Sequence, residues 1–385
     1  MKNISKIQGG EAIEAMVLSL IIVIMLIGVV SYSVAQTPYS DPDYSVQAVK
    51  NTSKEISISP LVNCNAKAVP MRASINSPYA ELKPAFAPHG DRLYFSRVNH
   101  PDNTASVNDQ EDIWYTLYDS TTTNWSEPIR MTGFLNNRGP NFVENVSKTG
   151  DTLILGNQYY KNGKMRDGVS YTVNIKGEWS FPKPIVIKND YNLSPHSNHF
   201  VSLKLGVIIS AVQRTESYGH RDLYVSFWNG VRATEPVNMG EVLNTSMEES
   251  SPYLACDNKT LYFASKGHSG YGGYDIFVST RLDDTWTNWT VPQNMGLAVN
   301  GKLDEEFFSI THCGRYALFT KQVSVHNEDL FKVKMEELFK TKDAVVATGA
   351  EEITTKKIGV EDIAKNKEVA KVAEVKKPRS TLSSL

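Results

Sequence analysis

The 385-residue chain has only three cysteines, Cys64, Cys256 and Cys313. They are too scattered for a disulfide framework or a CxxC metal site, although Cys256 and Cys313 lie near comparable turns and leave a single bridge open. There is no excess of charge of one sign: 40 Lys and Arg against 42 Asp and Glu give a formal net charge of −2. Without a basic face there is no electrostatic capture of nucleic acid, so that partner class is excluded. The eight histidines show no HExxH or paired zinc spacing, and no GxSxG elbow is present to make a serine hydrolase. No cofactor and no metal are expected.

Long apolar runs are also lacking, with one exception. Residues 1–35 place Lys2 and Lys6 ahead of an uncharged stretch from Ala15 to Val30 that ends in Ser33-Val34-Ala35. Small residues at the end fit a cleaved signal peptide, and a stretch of about 20 residues also fits an uncleaved anchor. In both cases the lysines stay on the cytoplasmic side and the rest of the chain is exported. No cysteine closes the run, so a lipoprotein anchor is not expected. Residues 36–68 are rich in Ser, Pro, Asn and Asp and read as a linker. Residues 336–385 are Lys, Glu, Ala and Val with few aromatics, which predicts a charged, mostly disordered tail.

Between them, residues 69–335 repeat. Phe86, Phe142, Phe200, Tyr253 and Phe308 recur every 53 to 58 positions, and Asp112, Asp167, Asp222, Asp275 and Asp329 every 53 to 55. Each period holds a second-strand run such as Arg92–Arg97 or Thr260–Ser265, a third strand led by the aspartate, and a fourth strand opening near proline and ending at asparagine (Pro128 to Asn136, Pro184 to Asn192, Pro236 to Asn244, Pro292 to Asn300). Four antiparallel strands in about 54 residues is the pattern of a propeller blade. The fifth copy stops at three strands, while Val69–Asn76 has the makings of an orphan fourth. The expectation is therefore an all-β, five-bladed propeller closed by an N-terminal strand.

These residues resemble the WD-like propeller repeats of the TolB type, as found in OmpA-like envelope proteins and in gliding and type IX secretion components. Ile75-Asn76-Ser77, Glu249 with Pro252, Thr260–Ser265, Gly270–Phe277, and Trp289 with Pro292–Gly296 carry the resemblance. It implies a non-enzymatic binding or scaffolding protein of the bacterial envelope, periplasmic or associated with the outer membrane. Its partners would be envelope proteins, OmpA-like or secretion and gliding components. Membrane contact would come only through the N-terminal segment if that segment is uncleaved.

Function-bearing residues fall into three groups. The repeated aspartates, one per blade, are spread around the ring and are expected to fix turns by accepting backbone N–H groups. Glu81, Glu248, Glu249, Glu305 and Glu306 enter the innermost strands, and Glu81, Glu249 and Glu306 are candidate acids of the axial funnel. They keep open an alternative in which the propeller binds or processes carbohydrate, since paired carboxylates can do glycosidic acid/base work. The longer loops, Asn99 to Glu111, Asn157 to Arg166, Thr215 to Arg221, Lys266 to Tyr274 and Gln322 to Glu328, should share one face. On it Tyr159, Tyr218, His220, Tyr271, Tyr274, Arg97, Arg214 and Lys266 are candidates for protein docking. The insertion Asn99 to Glu111 holds oxygen ligands of the kind calcium takes, without the spacing of a known calcium loop.

Overall fold

The computed structural model describes residues 62–63, 65–311 and 314–339. The leader, most of the linker, most of the tail and a Cys256–Cys313 bridge lie outside the described residues. Within them the chain is a five-bladed β-propeller. The inner strands are Glu81–Phe86, Val143–Val146, Asn198–Ser202, Glu249–Leu254 and Glu305–Ile310. Each packs against the next, and the last packs against the first, which closes the circle.

Second strands such as Leu93-Tyr94-Phe95, Leu153-Ile154-Leu155 and Leu261-Tyr262-Phe263 are buried at every position. A strand with a blade stacked on each side has no solvent face, so the sequence reads as a continuous apolar run rather than an alternation. The apolar clusters accordingly lie between blades. One joins blades three and four through Ile209, Leu223, Leu261 and Phe277, and another joins one and two through Tyr94, Ile113, Leu153 and Leu155. Every turn from first to second strand places one residue in the left-handed region: Gly90, Gly150, Gly206, Asn258 and Gly314, with φ between 61° and 75°. Glycine and asparagine are the residues that tolerate it.

The fourth strands are shorter than their sequence limits. Only Ile129–Arg130, Lys183–Pro184, Val237–Asn238 and Gln293–Asn294 pair with their third strands. The asparagine beyond each does a different job. Asn136, Asn244 and Asn300 accept the N–H of Ile113, Leu223 and Ile276 at 2.7 to 2.8 Å and donate to the carbonyl of the same residue. Asn192 departs from this set, bonding Asp167, Ser194, His196 and Gln213 instead.

Ahead of the first blade, Val69 and Pro70 pair antiparallel with Lys332 and Phe331 in the third strand of the fifth. Asn76 accepts the Leu330 N–H at 3.0 Å and donates to the Leu330 carbonyl at 3.1 Å, repeating the bonds of Asn136. Met71 and Ile75 enter the apolar cluster shared by blades five and one.

Candidate functional site at the axial mouth

Glu81, Glu249 and Glu305 open three inner strands and are fully buried. Each carboxylate turns back to the chain four residues earlier, accepting the N–H of Ser77, Thr245 or Gly301 at 2.7 to 2.9 Å. Arg97, Ser265 and Lys321 complete their bonding. Asn141 does the same for the Asn137 N–H in blade two. These residues hold the blade-to-blade connections, so Glu81 and Glu249 are not acids of the funnel. Burial pushes all three glutamates up to about 7.

The funnel is lined one and two positions further on. Inner strands of blades one, four and five carry a bulge, and Lys83, Ser251 and Phe307 sit there with φ of 57°, 43° and 56°. A bulge re-aims a side chain. The Lys83 ammonium lies 3.8 Å from the ring centre of Phe142 in blade two and 5.2 Å from that of Phe307 in blade five, and 2.7 Å from Glu111. From blade four, the Ser250 hydroxyl reaches Glu306 of blade five at 2.7 Å and Asn198 of blade three at 3.0 Å. Glu144 of blade two accepts the His199 N–H of blade three at 2.8 Å. All five blades thus meet in one polar network on the face of the second-to-third-strand loops.

Its carboxyls are shifted in opposite directions. Burial raises Glu306, and burial together with the charge of Glu306 raises Glu328 to about 7. Burial takes Glu144 to about 8 against the pull of Lys83. Glu248 goes the other way: burial is outweighed by Arg221, the Tyr274 hydroxyl at 2.5 Å and Lys266 at 3.3 Å. Ser250 has one hydrogen for the two acceptors, Asn198 and Glu306. Environments that drive neighbouring carboxyls apart are the raw material of acid/base chemistry.

The expected docking residues scatter. Tyr218 is 52% exposed, His220 is exposed, and Tyr271 and Lys266 are half-buried. Tyr159 and Tyr274 are 4% exposed, because the Tyr159 hydroxyl is held by Asn141 and Leu135 and that of Tyr274 by Arg221 and Glu248. Arg97 is buried on Glu81 and the carbonyls of Ser74 and Ile75, and Arg214 between Tyr191, Glu216 and the Asn189 carbonyl. Two of the five expected loops are hairpins: strands Thr152–Tyr159 and Met165–Ile175 flank a short turn, as do Tyr316–Ser324 and Asn327–Lys334. Asp167 and Asp329 therefore fall inside strands. Asp167 is exposed and bonds Asn192 and Ser197 of the next blade, and Asp329 takes the Asn327 side-chain amide.

Asp112, Asp222 and Asp275 are buried and accept the loop N–H groups of Thr104, Tyr218, and Tyr271 with Gly272. The insertion in blade one is an ordered loop: Asn103 bonds Arg97 and Trp114, and Asp109 accepts the Ala105 N–H. Lys83, Glu144, Asn198, Ser250, Arg221 and Glu328 were not singled out by sequence. The available signal was that Lys83, Ser251 and Phe307 break the repeat at one equivalent position.

No protein-family model and no curated protein matches the sequence. Solved structures do. A protein assigned as TolB from Agrobacterium tumefaciens is 14% identical, with 69% of this chain and 81% of that chain covered at a TM-score of 0.41. A TolB-type propeller is among the neighbours. An α-L-arabinofuranosidase from Lactobacillus brevis is 12% identical (67% and 92% covered, TM-score 0.42). A β-xylosidase/α-arabinofuranosidase of glycoside hydrolase family 43 from a compost metagenome is 11% identical (70% and 94%, TM-score 0.44). At such identity the likeness concerns fold alone. It corrects one expectation nonetheless: glycosidases stand among the similar structures, so the exclusion of an enzyme, drawn from the repeat and the missing motifs, is withdrawn.

Proposed function

We propose that this chain is a ligand-binding propeller of the bacterial envelope whose axial mouth takes a hydroxyl-rich ligand of the glycan class. The observation that carries the reading is the convergence of Lys83, Glu144, Asn198, Ser250 and Glu306, one from each blade, on the axis. Glu144 and Glu306 each accept one bond among the described residues, which leaves carboxyl oxygens for ligand hydroxyls. Phe307 is half-buried beside them and offers a ring face on which a sugar can stack.

Calorimetric titration of the full chain with a panel of oligosaccharides tests this. Binding by one member, weakened about tenfold or more by Glu144→Ala with the circular dichroism unchanged, is the expected result. Binding that ignores Glu144→Ala and Glu306→Ala, or none across the panel, overturns it. Aryl-glycoside hydrolysis in the same samples separates binding from turnover.

A second reading, docking of an envelope protein on the loop face, is favoured by the 52% exposure of Tyr218 beside exposed His220. Export to the periplasm or outer membrane, and OmpA-like or secretion and gliding partners, belong to it. Envelope pull-down with Tyr218→Ala and His220→Ala tests it, and unchanged recovery of partners from the folded double variant sinks it.

A further inference from the structure

We infer that the ring also meets an anionic lipid surface, through two loops of blade three on the face opposite the axial mouth. The inference goes beyond the ligand reading and shares no residue with it. Residues 203–206 turn from the first strand to the second, and residues 228–234 follow the third. The Trp228 N–H bonds the Gly206 carbonyl at 2.7 Å and ties the two loops together. Leu203, Leu205, Phe227 and Val231 are exposed there, Val231 at 82%. Leu205, Phe227, Trp228 and Arg232 line one open cleft. Among the apolar side chains stand Lys204 and Arg232, exposed and without an ion pair among the described residues. A contiguous apolar patch of this kind marks a contact surface.

The patch belongs to one blade and not to the repeat. The corresponding turns of blades one, two and four, residues 88–91, 148–151 and 256–259, each carry an aspartate: Asp91, Asp151 and Asp257. The third strands of the same blades end on, or lead into, Asp119, Glu178, and Asp283 with Asp284. Blade three has Leu203-Lys204-Leu205 and Asn229-Gly230-Val231-Arg232, with no acid in either loop. The next acid along the chain, Glu235, is engaged by Lys188 at 3.5 Å and Asn189 at 2.7 Å. Blade three thus offers positive charge where these blades offer negative, and it complements a surface of phosphates.

Apolar side chains on two loops with cations among them match the step from acyl chain to headgroup. The apolar groups enter the boundary, and the long Lys and Arg side chains reach back to phosphate. Trp228, half-buried at the base, has the amphipathic ring favoured at that depth. The chain also arrives from this side. The Met335 N–H bonds the Arg315 carbonyl beside the Gly314 turn, and the Asn63 N–H bonds the Leu338 carbonyl, so the chain ahead of residue 62 departs from the face of the first-to-second-strand turns. If the apolar stretch from Ala15 to Val30 is held in a bilayer, that face is the one kept toward it.

The test is hydrogen exchange of the full chain, read peptide by peptide, on vesicles of phosphatidylcholine alone and with phosphatidylglycerol added. Insertion of the N-terminal segment is read in its own peptides, so contact at the loops is measured separately. Residues 203–206 and 228–234 should exchange about tenfold slower on the anionic vesicles than on the neutral ones. Lys204→Glu with Arg232→Glu, circular dichroism unchanged, should abolish that protection. Val231→Ser, at a projecting side chain, should weaken it with the charge untouched. Equal protection on both vesicles, protection that survives the charge reversal, or none on either overturns the inference. Protection by added envelope proteins and not by vesicles also overturns it, and makes the face a protein contact.

Discussion

Glu249 shows how one residue type serves two ends in this ring. Its neighbour Ser250 bonds the axial Glu306, yet Glu249 points back to the Thr245 N–H and hydroxyl and to Ser265, with no ion pair among the described residues. A carboxyl buried in that way is pushed from an ordinary 4.5 to about 7. The folded state then binds a proton that the unfolded chain has released, so stability is fully present below about pH 4.5 and is lost as pH rises toward and through 7. For one group the slope reaches about 1.4 kcal/mol per pH unit. Glu81 and Glu305 act in the same sense, and so does Asp275, raised by burial to about 6. The melting temperature should therefore fall from pH 5 to pH 8, and Glu249→Gln should flatten the fall. A wild-type melting temperature that rises over that range contradicts the account. Tyr159 makes a complementary case. Truncation to alanine should cost about 3 kcal/mol or more in urea unfolding, because the ring is core and its hydroxyl is bonded; a loss under 1 kcal/mol would place it at the surface after all.

Among elements, the segment ahead of the first blade has the most specific role. Val69 and Pro70 lie along the fifth blade, and Asn76 repeats at Leu330 the bonds that Asn136, Asn244 and Asn300 make inside other blades. We read this segment as the missing fourth strand that shuts the ring. Asn76→Ala should cost about 1 to 3 kcal/mol in chemical denaturation, as Asn244→Ala should in an internal blade. Removing residues 69–76 should lower the melting temperature further by baring an edge strand and uncovering the cluster of Met71 and Ile75. Equal melting of truncated and full chains would mean that closure does not depend on this strand.

For the molecule as a whole, what repeats was legible and what does not repeat was hidden. The period, the strand order and the buried Asp112, Asp222 and Asp275 follow from spacing, since five copies of one local solution reinforce each other. Asp167 was misread because a short turn at Gly163, with φ of 79°, replaces the loop seen in other blades. Of the axial residues only Glu306 was singled out; Lys83, Glu144, Asn198 and Ser250 were missed for the opposite reason, since they differ blade by blade and an alignment of copies averages them away. Which carboxylate turns inward depends on a one-residue bulge, and the two-residue period of a strand does not announce it.

That bulge has a consequence for how such a ring can change. Lys83, Ser251 and Phe307 leave the regular alternation of their strands at a kink, and Lys83 and Ser251 stay buried there. The lining of the axis is thereby set at three positions where the inner strands break their pairing register. A library randomised at positions 83, 251 and 307 alone should return mostly folded rings with altered ligand preference, one scaffold offering many interiors.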